Sequence, residues 1–306
     1  MKRDLLTILD LTAAEILALL ARARKMKGAW FQGALRPTLQ GKTLGLLFTK
    51  PSTRTRISFE AAMNRLGGSC IFMTAKDTQL SRQEPLADMA RVMSRYIEAV
   101  AVRTYDHADV EDLARHATIP IINALTDSYH PCQVLSDLLT IQEKRGSLDN
   151  LQVAWVGDGN NVAHSWINAA ARVGFTLRLA CPEGYLPDAR VVEKARSEGG
   201  RNIFVLSDPG EAVAAADAVN TDVWASMGQE EESELRRRVF APYQVNAALL
   251  SRAPTHAMVM HCLPAHREEE ITGEVLEGPR SVVFDQAENR LYLQMALLEW
   301  LLSRLY

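Results

Sequence analysis

The feature that most constrains this chain is a regular alternation of short apolar runs with longer amphipathic ones. Strand-like runs fall at 43–48, 69–73, 98–103, 119–122, 151–156, 176–180, 203–206, 218–221, 257–260 and 281–284. Helical spacing is expected over 85–96, 107–116, 133–144, 161–173, 187–198 and 241–251. Thr12-Ala13-Ala14-Glu15 is a capping-box pattern, and the apolar spacing that follows predicts an amphipathic first helix through Met26. Strands separated by helices of roughly 10–15 residues imply parallel sheets covered on both faces. The expected fold class is therefore α/β, with two doubly wound parallel-sheet domains. Ten strands exceed what one compact sheet usually holds, and 306 residues suit two domains of about 150 each. The polar, turn-rich stretch from Lys144 to Asn150 divides them into 1–145 and 146–285. The C-terminal segment 286–306, rich in Leu with Met and Trp, is expected to pack back on the first domain as a helix.

Composition removes several classes of function. Hydrophobic residues make up 47% and charged residues 23%, the balance of a globular enzyme. A net charge of −3 lacks the basic excess of a nucleic-acid surface. Cys70, Cys132, Cys181 and Cys262 form no CxxC pair, so no structural metal is expected, and four scattered thiols fit a reducing cytoplasm. Residues 1–6 contain an early acid and lead into no long apolar run, unlike a secretion signal. No stretch reaches the roughly 18 uninterrupted apolar residues of a membrane span.

In doubly wound sheets ligands bind beyond the carboxyl ends of the strands. Ser52-Thr53-Arg54-Thr55-Arg56 lies there, after the run 43–48 and where a helix begins. Unpaired N–H groups, a positive dipole end, hydroxyls and guanidiniums together suit a phosphate or similar dianion. A plain N-cap with solvated arginines is the competing reading, weakened by two arginines interleaved with the hydroxyls in one turn. Arg103 ends the run 98–103 and supplies a further cation if it faces the same anion. His130, in the rigid loop before Pro131, favours function over a satisfied core histidine, and Gln133 offers an amide that can both donate and accept. Gly157-Asp158-Gly159-Asn160-Asn161 opens like a dinucleotide site, but Val162 stands where its third glycine belongs and no acid follows the next strand. His164 and His266 read as structural or rim residues. The strand-end loops of the two halves describe an interdomain active-site cleft.

Four segments carry a family resemblance. Phe48-Thr49-Lys50-Pro51-Ser52-Thr53-Arg54-Thr55-Arg56-Ile57-Ser58-Phe59-Glu60 resembles the carbamoyl-phosphate signature of the aspartate and ornithine carbamoyltransferases. His130-Pro131-Cys132-Gln133 is similar to that family's second phosphate and carbamoyl motif. Asp222-Val223-Trp224-Ala225-Ser226-Met227-Gly228 and His261-Cys262-Leu263-Pro264 resemble the amino-acid loop and the cysteine segment of its ornithine branch. Their spread, from 48 to 264 in the family's order, covers nearly the whole chain.

The resemblance implies transfer of the carbamoyl group of carbamoyl phosphate to the δ-amine of L-ornithine, giving L-citrulline and phosphate, a step of arginine biosynthesis. It assigns carbamoyl phosphate to Ser52, Thr53, Arg54, Thr55, Gln79, Arg103, His130, Gln133, Cys262, Leu263 and Arg290. It assigns ornithine to Asn161, Asp222, Ser226 and Met227, and catalytic roles to Cys262, Asp222 and Arg103. Gln79 would act from a neighbouring subunit, which implies a homotrimer or a multiple of one. No cofactor is expected, because the substrate is already activated. Sister activities on putrescine, N-acylated ornithine or aspartate share the phosphate half. Asp222 argues against aspartate, whose second carboxylate calls for added cations. A non-catalytic anion-binding protein of the same fold is the reading from a different class.

Overall fold

A computed structural model describes residues 2–74, 76, 78, 84–225 and 232–302. In chain order its elements are α1 (Ala13–Phe31), β1 (Thr43–Phe48), α2 (Thr53–Arg65), β2 (Ser69–Thr74), α3 (Leu86–Met93), β3 (Ala99–Arg103), α4 (His107–His116), β4 (Ile121–Leu125) and α5 (Pro131–Arg145). They continue as β5 (Gln152–Val156), α6 (Asn161–Val173), β6 (Thr176–Ala180), α7 (Ala189–Ser197), β7 (Ile203–Leu206), α8 (Pro209–Val213) and β8 (Ala218–Thr221). The last are α9 (Ser233–Phe240), α10 (Ala247–Ser251), β9 (Met258–His261), α11 (Gly273–Leu276) and α12 (Val283–Leu302). Two compact units result, 1–139 with 288–306, and 140–287. The chain passes from one to the other within α5 and returns within α12.

The first unit holds a four-stranded parallel sheet in the order β2-β1-β3-β4. Its central strands β1 and β3 are buried on both faces, and both are near-continuous apolar runs, as a sheet covered by helices on each side demands. Leu47, Val100, Val102 and Ile121 pack there against Met89 and Met93 of α3 and Val110 and Leu113 of α4. The expected capping box starts α1: Glu15 N–H donates to Thr12 Oγ1 at 3.2 Å, and Thr12 N–H donates to Glu15 Oε2 at 2.9 Å. The C-terminal part of α12 belongs to this unit, where Glu299 accepts from Arg22 Nε and Nη2 at 2.6 and 2.8 Å and from Thr38 at 2.7 Å.

The second unit holds a five-stranded parallel sheet in the order β7-β6-β5-β8-β9. Its core joins Val156, Val219 and Val259 to Val213, Leu276 and Val283. Both sheets are doubly wound about a first strand, so each has a switch point, between β1 and β3 and between β5 and β8.

Two expectations fail locally. The tenth strand, 281–284, makes only one bridge, Ser281 beside Val259, before α12 starts at Val283. Its β-branched run is bounded by Asp285 and Gln286, which suit a first helical turn. The helix expected over 241–251 is broken. Pro242 sits in a single 3-10 turn, Val245 bridges to Ile271, and Asn246 then caps the short α10 by accepting from Leu249 N–H at 2.9 Å.

Candidate active site

The first unit gathers its polar residues at its switch point. Ser52 caps α2, its Oγ accepting from Thr55 N–H at 3.2 Å, so the plain capping role is real. Thr53 and Arg54 are exposed on the first turn, whereas Thr55 is buried and accepts from Arg290 Nη2 at 2.7 Å. Arg56 points elsewhere: it pairs with Glu60 at 2.9 Å and lies 3.7 Å over the Phe72 ring, so the expectation that it faces the same anion is corrected. Arg290 is not at the start of its helix but well inside α12, and it is 4% exposed. Its meeting with Thr55 of α2 is one that sequence spacing cannot reveal.

Arg103 ends β3, and His130 immediately precedes α5; both are buried. Burial holds the His130 imidazole well below its usual range, and the charges of Arg290 and Arg103 push it further down. A neutral imidazole beside two guanidiniums can offer a hydrogen bond to an incoming carbonyl oxygen without adding charge. Gln133 donates its amide NH₂ to Asp137 Oδ1 at 2.8 Å, while its Oε1 has no hydrogen-bond partner among the described residues. That acceptor suits a carbamoyl NH₂. Lys50, which sequence reasoning passed over, is buried, pairs with Asp127 and lies 4.1 Å over Tyr105, tying the loop after β1 to the loop after β4. Its signal was adjacency to Pro51-Ser52.

One consequence concerns acid stability. Because folding favours neutral His130, its contribution is fully present above the unfolded value near 6.5 and is lost as pH falls below it. The difference in melting temperature between wild type and His130→Asn should shrink from pH 7.5 towards pH 5 (about one unit above and more than one below that value). A difference that stays constant in thermal melts would remove this assignment.

In the second unit the site lies at the ends of β5, β8 and β9. Asp222 is 7% exposed; its Oδ1 accepts from Cys262 Sγ at 3.0 Å and Val223 N–H at 2.8 Å, and its Oδ2 accepts from Asn160 Nδ2 at 2.9 Å. Asn160 also caps α6, its Oδ1 accepting from Val162 and Ala163 N–H at 2.9 and 3.2 Å. Sequence reasoning chose its neighbour Asn161, the first residue of α6; Asn160 was missed because one side chain serves both a cap and a carboxylate. Gly159 explains the dinucleotide-like spelling: a Cβ there would come within 2.2 Å of the Pro187 backbone nitrogen. The glycine admits close packing of another loop.

Cys262 is half-buried, next to buried His261. Leu263 N–H donates to His261 Nδ1 at 2.9 Å, so Nε2 carries the proton donated to Glu270 at 3.0 Å. The loop bearing Cys262 and Leu263 is thereby anchored to a buried carboxylate. Asp222, His261 and Cys262 bring one potential ligand atom each within 4.8 Å, but both His261 nitrogens are already committed. His164 is structural: its Nε2 accepts from Asp188 N–H at 3.0 Å. Gln79, Ser226 and Met227 lie outside the described residues.

Together these features define a doubly wound α/β protein with a cationic, amide-lined site in one unit and an acid–thiol–amide cluster in the other. Residues 3–143 match the family model "Aspartate/ornithine carbamoyltransferase, carbamoyl-P binding domain", and 149–301 match its "Asp/Orn binding domain". The chain belongs to the aspartate/ornithine carbamoyltransferase family. It is 57% identical over 302 residues to an ornithine carbamoyltransferase of Syntrophus aciditrophicus, covering 99% of this chain and 100% of that one. It is 51% identical to the anabolic ornithine carbamoyltransferase of Pseudomonas aeruginosa, covering 98% and 97%. The solved ornithine carbamoyltransferase of Pyrococcus furiosus superposes with a TM-score of 0.95 at 50% identity, covering 100% of this chain and 98% of that one. Among the described residues no helix is long and apolar enough to cross a membrane.

Proposed function

We propose that the chain transfers the carbamoyl group of carbamoyl phosphate to the δ-amine of L-ornithine, giving L-citrulline and phosphate in arginine biosynthesis. The observation that carries this reading is Asp222, a buried carboxylate held by Cys262 and Asn160 in the unit that matches the amino-acid-binding domain. An anion there suits a cationic side chain and opposes the second carboxylate of aspartate. In the reaction the amine attacks the carbonyl carbon, negative charge gathers on the carbonyl oxygen and the leaving phosphate, and preorganised donors meet it. Ser52, Thr53, Arg54, Thr55, Arg103 and Arg290 are those donors, while His130 and Gln133 orient the carbamoyl end. Ornithine is held by Asn161, Ser226 and Met227, with Leu263 completing the carbamoyl contacts. A free alkylamine has a pKa near 10.4, judged by lysine, so the amine must lose a proton before attack. Asp222 and Cys262 orient the amine and assist that loss.

The test is to incubate the protein with carbamoyl phosphate and, separately, ornithine, putrescine, N-acetylornithine and aspartate, and identify the product by mass spectrometry. Citrulline is expected; a carbamoylated product from another amine alone overturns the substrate, and phosphate binding without any product overturns the enzyme.

The same reading makes the protein a cytoplasmic homotrimer, or a multiple of one, with Gln79 supplied by a neighbouring subunit. Exposed Ile71 on edge strand β2 and exposed Ile57 on α2 support self-association. Arg103→Ala and Gln79→Ala proteins, each inactive alone, should regain activity when mixed, since a hybrid interface can hold both intact residues. A mixture that stays inactive after demonstrated subunit exchange removes the shared site.

A further inference from the structure

Resting on the ornithine reading above, one buried cation in the second unit has no role so far. Arg236, from α9, is 5% exposed. Its Nη1 donates to Asp158 Oδ2 at 3.0 Å and to the Trp224 carbonyl at 2.7 Å, and its Nε donates to Glu232 Oε2 at 3.2 Å. The guanidinium lies 4.7 Å from the Tyr185 ring and 5.9 Å from the Phe240 ring, and Trp224 stacks on Phe240 at 5.9 Å.

The spacing of these contacts is informative. Asp158 lies two residues before Asn160, and Trp224 lies two residues after Asp222. The Asn160–Asp222 hydrogen bond and the Arg236 fork therefore join the same two strand-end loops, after β5 and after β8, at two separate places. A single hydrogen bond between two loops leaves rotation about it; a second tie removes that freedom. Asp158 is an expensive buried carboxylate: burial pushes it up to about 6, against the pull of Arg236 and helped by the charge of Asp222. We propose that Arg236 is a positioning residue for the amino-acid half of the site, clamping the loops after β5 and β8 so that Asn160, Asn161 and Asp222 hold a fixed geometry toward the substrate amine and α-carboxylate. Arginine suits the place because Nη1 reaches the carboxylate and the carbonyl while Nε holds Glu232 and the planar group lies against aromatic rings; lysine has the charge without that second donor or that shape.

Three variants test it: Arg236→Lys, Arg236→Met, and Arg236→Met with Asp158→Asn. The double variant removes both charges, so no unpaired carboxylate is left buried if the single Met variant fails to fold. Wild type turning ornithine into citrulline establishes the activity independently of the clamp. With folding checked by circular dichroism, the ornithine KM should rise or kcat/KM for ornithine should fall by roughly 10- to 100-fold, as small misplacement of reacting groups produces. Carbamoyl-phosphate affinity by calorimetry should stay within about twofold, since its main contacts lie in the other unit, and Lys should fall between wild type and Met. A folded variant with wild-type ornithine kinetics overturns the proposal. So does parallel loss of both substrates' binding, or unfolding of all three variants, each of which marks a purely structural role.

Discussion

Ornithine is expected to exceed putrescine in kcat/KM by as much as ~10⁴–10⁵, the discrimination reached when a site built to hydrogen-bond a group meets an analogue lacking it. Putrescine carries the same reacting amine but no α-carboxylate. Asn161 opens α6, whose positive dipole end favours a carboxylate. A missing α-carboxylate forfeits that dipole interaction and leaves the polar groups meant to meet it desolvated once the site is filled, and the cost appears as lost transition-state binding. N-acetylornithine tests the other substituent of the same carbon. Steady-state kinetics with carbamoyl phosphate saturating and each amine varied decide the matter. Equal kcat/KM for any competitor would transfer the substrate assignment to that amine and leave carbamoyl transfer standing.

Replacing Asp222 by Asn should lower kcat by roughly 10²–10⁴, the range for losing a positioned proton acceptor or its partner. The amide is close in shape, so the change isolates charge. Asp222 accepts from Cys262, Val223 and Asn160, and an amide cannot accept on both ends. One contact, to the Asn160 NH₂ or the Cys262 thiol, is lost whichever way the amide turns. The substrate ammonium also loses its counter-charge, so ornithine KM should rise. Carbamoyl-phosphate binding should be spared, because Arg103, His130, Gln133 and Arg290 belong to the other unit. Calorimetry with carbamoyl phosphate and a kcat measurement separate these effects; a variant with unchanged kcat would remove Asp222 from proton handling.

Local chemistry was legible without tertiary information. Thr12 and Glu15 announced a helix start that the structure contains. The apolar runs at 43–48 and 176–180 announced strands with the same bounds as β1 and β6. Both depend on neighbours a few residues away, and local rules govern them. The motif segments stood out for a related reason: strand ends must turn into helices, and polar residues gather at those turns in unusual density. Where one local rule misled, another had overruled it. The run at 281–284 has a strand's composition, yet it makes a single bridge beside β9 before helix α12 takes over.

The sequence by itself therefore determined most element types, the parallel α/β class and the chain positions of the candidate anion and amino-acid segments, because each follows from periodicity or from adjacency. Tertiary structure alone decided which charged side chains meet which partners. Arg54 and Arg56 are two residues apart, but helical rotation sends Arg56 to Glu60 and Phe72. Arg290 lies 235 residues from Thr55 and meets its hydroxyl, and Arg236 lies 78 residues from Asp158 and meets its carboxylate. A buried charge is tolerated only where packing brings it a partner. No spacing rule along the chain encodes such a meeting; the sheet order and the helices laid over it do.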